Sequence, residues 1–168
     1  MSGGQMERLW AGWRSAYVAA SGDHELAGSI FTQILASGLP DEETRVVWRG
    51  ELVFAILNAF PYTSGHLLVM PYREVGELED LGPEEAAALW AAVRDAVVAV
   101  KAAYRPHGVN VGLNLGEAAG AGIPGHLHVH VLPRWNADSN FMTSIAEVRV
   151  LPESLGDTWA RLRAAWPA

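Results

Sequence analysis

The chain has 168 residues, half of them hydrophobic and 18% charged, which suits one ordered domain with a single core. Its formal net charge of −7 argues against nonspecific attraction to nucleic acid or an anionic membrane, so a phosphorylated ligand would need a local set of donors. Cysteine is absent, which excludes disulfides and thiolate metal sites and fits a cytoplasmic protein.

No apolar run reaches the roughly 18 residues of a membrane span, and Met1-Ser2-Gly3-Gly4 lacks the features of a secretory signal. Residues 6–20 carry Leu9, Trp10, Trp13 and Tyr17 at spacings of three and four, predicting a short amphipathic helix that Ser21-Gly22-Asp23 breaks. A second short helix is expected over residues 29–36, with Ile30, Phe31 and Ile34 on one side and Gly38 and Pro40 beyond its end. From Arg45 the pattern turns to strands. Val46-Val47-Trp48 and residues 52–57, separated by Arg49-Gly50, predict a hairpin. A loop over residues 61–65 leads to a strand, His66-Leu67-Leu68-Val69-Met70, stopped by Pro71.

The clearest element is a helix from Pro83 to Tyr104. Proline suits its first turn, Glu84 and Glu85 complement its positive end, and Leu89, Trp90, Val93, Val97, Val100 and Tyr104 are expected on one face. Two strands follow, over residues 108–114 and 127–133, joined by a glycine-rich loop. Short antiparallel strands and one long helix predict an α+β domain. Residues 1–27 read as an N-terminal extension, 28–150 as the core, and 151–168 as a tail or helix.

His126, His128 and His130 alternate with Leu127, Val129 and Val131, so the strand points three imidazoles one way, about 7 Å apart, and three apolar groups into the core. A lone histidine is most often structural. Three in a row beside a glycine-rich loop are not explained by packing, because each buried ring without a partner costs about 1–3 kcal/mol. Zinc is the rival reading, with two of the histidines as ligands and Asp138 or His66 completing the set. The preceding segment, residues 114–122, offers small residues and backbone N–H groups that suit an anion better than a cation. A histidine row beside an anion site suggests nucleophilic and acid–base work on a phosphate ester. His24 and His107 lie outside every motif and are expected in solvent.

The run His126-Leu127-His128-Val129-His130-Val131-Leu132 resembles the signature of the histidine triad superfamily. Residues 9–17, the strand Ser64 to Pro71, the loop Ala119-Gly120-Ala121-Gly122, Pro133-Arg134-Trp135 and Asn140-Phe141-Met142 are similar to a bacterial branch that cleaves dinucleoside polyphosphates. The resemblance implies an antiparallel sheet of about five strands with one long helix, and a homodimer, while the acidic charge and the lack of a long apolar run predict no nucleic-acid or membrane partner. It implies His128 as the nucleophile that becomes a nucleotidyl-histidine, His130 as a phosphate and leaving-group contact, and His126 and His66 as supports. It further implies Asn58 at the ribose, and Ile30, Phe31, Ile34 and Ile56 as walls of the base pocket. Asn114 and the backbone of Gly120, Ala121 and Gly122 would contact phosphate.

The implied substrate is an adenine dinucleotide such as diadenosine tetraphosphate, with inorganic phosphate or water as second acceptor. Alternatives are a phosphoramidate or adenylyl-sulfate hydrolase, a binding module without turnover, and a metallohydrolase. Two departures stand out. Many bacterial members hold a structural zinc through Cys-x-x-Cys and two histidines, where this chain has Ser29-Ile30-Phe31-Thr32 and, at one histidine position, Val75, so no metal or other cofactor is expected. Some phosphorylase relatives place a serine where this chain has Gly122, which leaves the acceptor open.

Overall fold

The computed structural model describes residues 28–138 and 151–168. The helix expected over residues 6–20, His24 and Asn140-Phe141-Met142 lie outside them. Among the described residues one antiparallel sheet contains β1 (Val46–Arg49), β2 (Val53–Leu57), β3 (Leu67–Pro71), β4 (Gly108–Leu113) and β5 (Val129–Arg134), in the order β1-β2-β3-β5-β4. The helices are α1 (Ile30–Ala36), α2 (Asp41–Thr44), α3 (Pro83–Tyr104) and α4 (Leu155–Ala165). The α+β class and the five-strand antiparallel sheet are as expected, and the C-terminal segment is a helix.

Both faces of the sheet are covered, and the two covers differ. Val53, Ala55, Leu57, Leu67, Val69, Val129 and Val131 share a large core with α3 and with Leu162 of α4. Phe54, Ile56, Leu68 and Met70 face the other way and join Phe31 of α1, with Ile30, Ile34 and Ile123 at the margin. Residues buried on both faces explain why β2 and β3 read as continuous apolar runs instead of alternating ones.

Helix α3 begins and ends where proline and its cap allow. The Glu85 carboxylate accepts the Gly82 N–H at 3.1 Å and pairs with Arg73 at 2.6 Å, while Arg105 turns left-handed (φ 46°) to close the helix. The buried stripe is Leu89, Ala92, Val93, Ala96, Ala99 and Val100. Trp90 does not belong to it and is 47% exposed. Alanines next to the sheet let the helix approach closely, which a tryptophan there would prevent. Helix α4 covers the β1 edge: Trp159 Nε1 donates to the Val46 carbonyl at 2.8 Å and Arg163 to the Val47 carbonyl at 2.9 Å. The β4 edge carries no such cover among the described residues.

The last strand departs from its expected bounds. Its ladder starts at Val129, so His126 and His128 precede it. The neighbouring strand ends at Pro71, which has no N–H to extend the ladder, and the Leu127 N–H donates at 2.6 Å to the Val75 carbonyl instead.

Candidate active site

Register fixes which way the histidines face. His130 pairs with Leu68, and Leu68 with Ile56, so His130 stands on the α1 side of the sheet while Val129 and Val131 pack toward α3. The ring centroids of His128 and His130 are 5.0 Å apart, and those of His66 and His130 are 5.1 Å apart. The expected 7 Å spacing is therefore too long. Rings tilted by 63° converge even where their Cα atoms follow the strand rise. Phe31 touches both His126 (5.4 Å) and His128 (5.6 Å), which brings the row to the edge of the apolar cluster.

Hydrogen bonds assign each ring's proton. His128 Nδ1 lies 2.8 Å from the His126 carbonyl, an atom that only accepts, so Nδ1 carries the hydrogen and Nε2 keeps its lone pair. At His66, Nδ1 receives the Tyr62 backbone N–H at 3.1 Å, with the Asn58 amide nitrogen 3.3 Å away. His66 Nε2 must then hold the proton, which it donates to His130 Nδ1 at 2.9 Å. His130 is left with Nε2–H as its outward donor. One face thus presents a lone-pair nitrogen on His128 and an N–H on His130.

Burial disfavours the charged forms of His130 and His126. Desolvation pushes His130 down to about 4, with the nearby His128 adding to the effect. Desolvation also lowers His126, against the Pro71 carbonyl and Glu74, which favour its charged form. His126 donates from Nε2 to the Pro71 carbonyl at 2.8 Å, and its Nδ1 meets Ser29 Oγ at 2.6 Å.

The remaining expected residues are placed unevenly. Ile30, Phe31, Ile34 and Ile56 come together in the α1 cluster. Asn58 sits beside His66, where its Oδ1 accepts the Phe60 N–H at 2.9 Å. Asn114 lies over the glycine loop, with its amide 3.4 Å from the Gly120 carbonyl. The loop itself needs a correction. Gly120 and Ala121 already donate their N–H groups to the carbonyls of Glu117 and Gly116, closing a turn around a 3₁₀ segment. Of the three N–H groups expected to form an anion nest, only that of Gly122 is outside this turn. Asp138, the suggested extra metal ligand, pairs instead with Arg134 at 2.6 Å. His107 is exposed.

Sequence reading gave no role to Tyr62, Glu74 or the Pro71 carbonyl. Tyr62 acts through its backbone and its ring, which lies 4.7 Å from His66, and main-chain donors leave no trace in composition. Glu74 comes from a turn 45 residues beyond its partner Ser29, and no local pattern links them.

A family model described as the HIT domain matches residues 40–137. The AP-4-A phosphorylase of Mycobacterium tuberculosis is 46% identical over 168 residues, covering 96% of this chain and 85% of that protein. The asymmetrical bis(5'-nucleosyl)-tetraphosphatase of Schizosaccharomyces pombe is 37% identical over 95 residues, covering 56% of this chain and 52% of its own length. Among solved structures, a zinc-bound histidine triad protein from Mycobacterium smegmatis superposes with a TM-score of 0.66 at 29% identity, over 82% of this chain and 92% of that one. The residues of this chain do not fit such a metal. Ser29 and Thr32 offer hydroxyls, Val75 is a core hydrocarbon, and both nitrogens of His126 are committed to protein partners. Among the described residues no group of three or more His, Asp or Glu side chains could hold a metal ion.

Proposed function

The chain belongs to the HIT domain family, and from that premise we propose that it cleaves dinucleoside polyphosphates through a covalent nucleotidyl-His128 intermediate. The observation that carries this reading is the bond from His128 Nδ1 to the His126 carbonyl, which leaves Nε2 as the nucleophilic nitrogen. In the first step Nε2 attacks the α-phosphorus, a P–N bond forms, and the P–O bond to the outgoing nucleotide breaks. The His130 Nε2–H is the donor suited to the oxygen that departs. In the second step the P–N bond breaks as phosphate or water attacks phosphorus. Diadenosine tetraphosphate would yield ADP and ATP with phosphate, or AMP and ATP with water.

The Mycobacterium tuberculosis relative, named for phosphorolysis of AP-4-A, favours phosphate as acceptor. Ile30, Phe31, Ile34 and Ile56 are the apolar walls against which an adenine would pack, and Asn58 is the candidate ribose contact. Asn114 and the Gly122 N–H are the candidate phosphate contacts of the loop.

Incubating the protein with diadenosine tetraphosphate, with and without inorganic phosphate, and separating the products tests this reading. Phosphate-dependent ADP identifies a phosphorylase, and AMP a hydrolase. No cleavage by folded protein in either condition sinks the proposal.

We read the protein as a homodimer because, among the described residues, β4 is an uncovered edge in which Val111 is 43% exposed, with Trp90 and Val98 of α3 also exposed. Light scattering at micromolar concentration decides it, and a monomer would overturn it. No described helix is long and apolar enough to cross a membrane. The lack of cysteine accords with the reducing cytoplasm, where we place the protein.

A further inference from the structure

His126 is held at both ends of its ring, and one of the two holders comes from α1. Its Nε2–H is spent on the Pro71 carbonyl, so Nδ1 is an acceptor and requires a donor. Ser29 Oγ, 2.6 Å away, is that donor. A serine hydroxyl has one proton. Thr32 Oγ1 spends its own proton on the Glu74 carboxylate and could accept the serine proton, but it lies 3.2 Å from Ser29 Oγ, and the shorter 2.6 Å separation favours the bond to His126. The same carboxylate accepts the Ser29 backbone N–H at 2.6 Å. Ser29 is therefore fixed by its backbone on Glu74 and by its place as N-cap of α1, where Oγ accepts the Thr32 backbone N–H at 3.3 Å. Its proton goes to His126.

The consequence reaches the nucleophile. The carbonyl that holds His128 Nδ1–H belongs to His126. Pinning the His126 ring on both sides pins the residue whose carbonyl sets the His128 tautomer. By the family resemblance, Ser29 and Thr32 occupy positions where many bacterial members carry cysteines, and the donor set here does not suit zinc. A hydroxyl–carboxylate clasp can do the orienting work without a metal.

We propose that Ser29, fixed by Thr32 and Glu74, is a positioning residue that holds the His126 ring with its Nε2–H on the Pro71 carbonyl and, through the His126 carbonyl, keeps the Nε2 of His128 as the lone-pair nitrogen. This rests on the reading of His128 as nucleophile, but part of its test does not. The first measurement is ¹⁵N NMR of the histidine rings in unliganded wild type, Ser29→Ala, Ser29→Gly and Ser29→Thr proteins. Wild type and Ser29→Thr are expected to show one tautomer each for His126 (Nε2–H) and His128 (Nδ1–H). Both hydroxyl-free variants are expected to show mixed tautomers. Glycine is nearly as good an N-cap as serine, so Ser29→Gly separates loss of the hydroxyl from loss of the cap.

The second measurement is steady-state cleavage of diadenosine tetraphosphate. Loss of an orienting partner of this kind costs on the order of 10- to 100-fold in activity. That loss is expected in kcat for Ser29→Ala and Ser29→Gly, with KM within about twofold, and Ser29→Thr should recover most of it. Unchanged tautomers in Ser29→Gly overturn the proposal, whether or not the protein cleaves the dinucleotide. So does a loss of kcat that Ser29→Thr fails to recover while its fold is intact. If wild type shows the expected tautomers and Ser29→Gly scrambles them, but no dinucleotide is cleaved, the clasp stands and the assigned reaction falls.

Discussion

His66 donates from Nε2 to His130 Nδ1 at 2.9 Å, and this bond exists in that direction because the Tyr62 backbone N–H already occupies His66 Nδ1. A main-chain amide in the loop before β3 thereby decides which nitrogen of His130 faces outward as a donor. No side chain could reverse it without breaking the loop. With His128 oriented by a carbonyl and His130 by an amide, the lone pair and the proton of the site are both set by backbone atoms.

Replacing His66 with alanine should therefore act on His130. His130 Nδ1 loses its donor, and the ring is free to take either tautomer. The expected result is a fall in kcat of about 10- to 100-fold, the range seen when an orienting partner is removed, with a smaller change in KM. Steady-state kinetics on His66→Ala checks this, and an unchanged kcat would show that His130 does not depend on it.

His128→Ala removes the nitrogen that bonds to phosphorus. Cleavage is expected to fall by about 10⁴-fold or more, as when a nucleophile is deleted in other covalent enzymes. Nucleotide affinity should persist, because the apolar cluster and the loop are untouched. Acid-sensitive labelling of the protein by the substrate, visible in wild type after rapid quenching, should vanish.

The depressed His130 gives the fold a pH dependence with a definite sign. The unfolded ring takes up a proton below about 6.5 and the folded ring only below about 4, so between these values the unfolded state binds more protons. Stability is thus fully present above pH 6.5 and falls as pH drops toward 4, with His126 contributing in the same direction. Urea midpoints measured at pH 7 and pH 5 should differ, with the lower value at pH 5. His130→Gln should shrink that difference. Turnover of the folded enzyme should decline only as the pH approaches about 4, because protonated His130 can no longer accept from His66.

Gly65, immediately before His66, is held at φ 83°. A Cβ there would lie 2.7 Å from the Tyr104 ring and 3.2 Å from Pro133. Gly65→Ala combines a left-handed backbone that costs about 1–2 kcal/mol with overpacking that costs about 1–3 kcal/mol more. A loss of about 2–5 kcal/mol in denaturant-measured stability is expected, together with a loss of activity as the Tyr62–His66 contact shifts.

Much of this was open to reading from the chain alone. The strand alternation at residues 126–131 put the histidines on one side and Leu127, Val129 and Val131 on the other, and the pairing of His130 with Leu68 bears out that division. The long helix kept its bounds because proline and the charged first turn act locally. Trp90 was misjudged because helical spacing alone does not say how wide the buried stripe is. The start of β5 was misjudged because it depends on Pro71 and Val75, far away in the chain.

The sequence by itself determined the fold class, the histidine face and the family. These follow from periodicity and motif order, which are short-range and survive without coordinates. Only the tertiary structure decided which ring nitrogen bears a proton, which loop amides are already spent, and that Ser29, itself held by Glu74, reaches His126. The reason is physical. A tautomer is set by the partner at the other end of a hydrogen bond, and here those partners are main-chain atoms or residues tens of positions away.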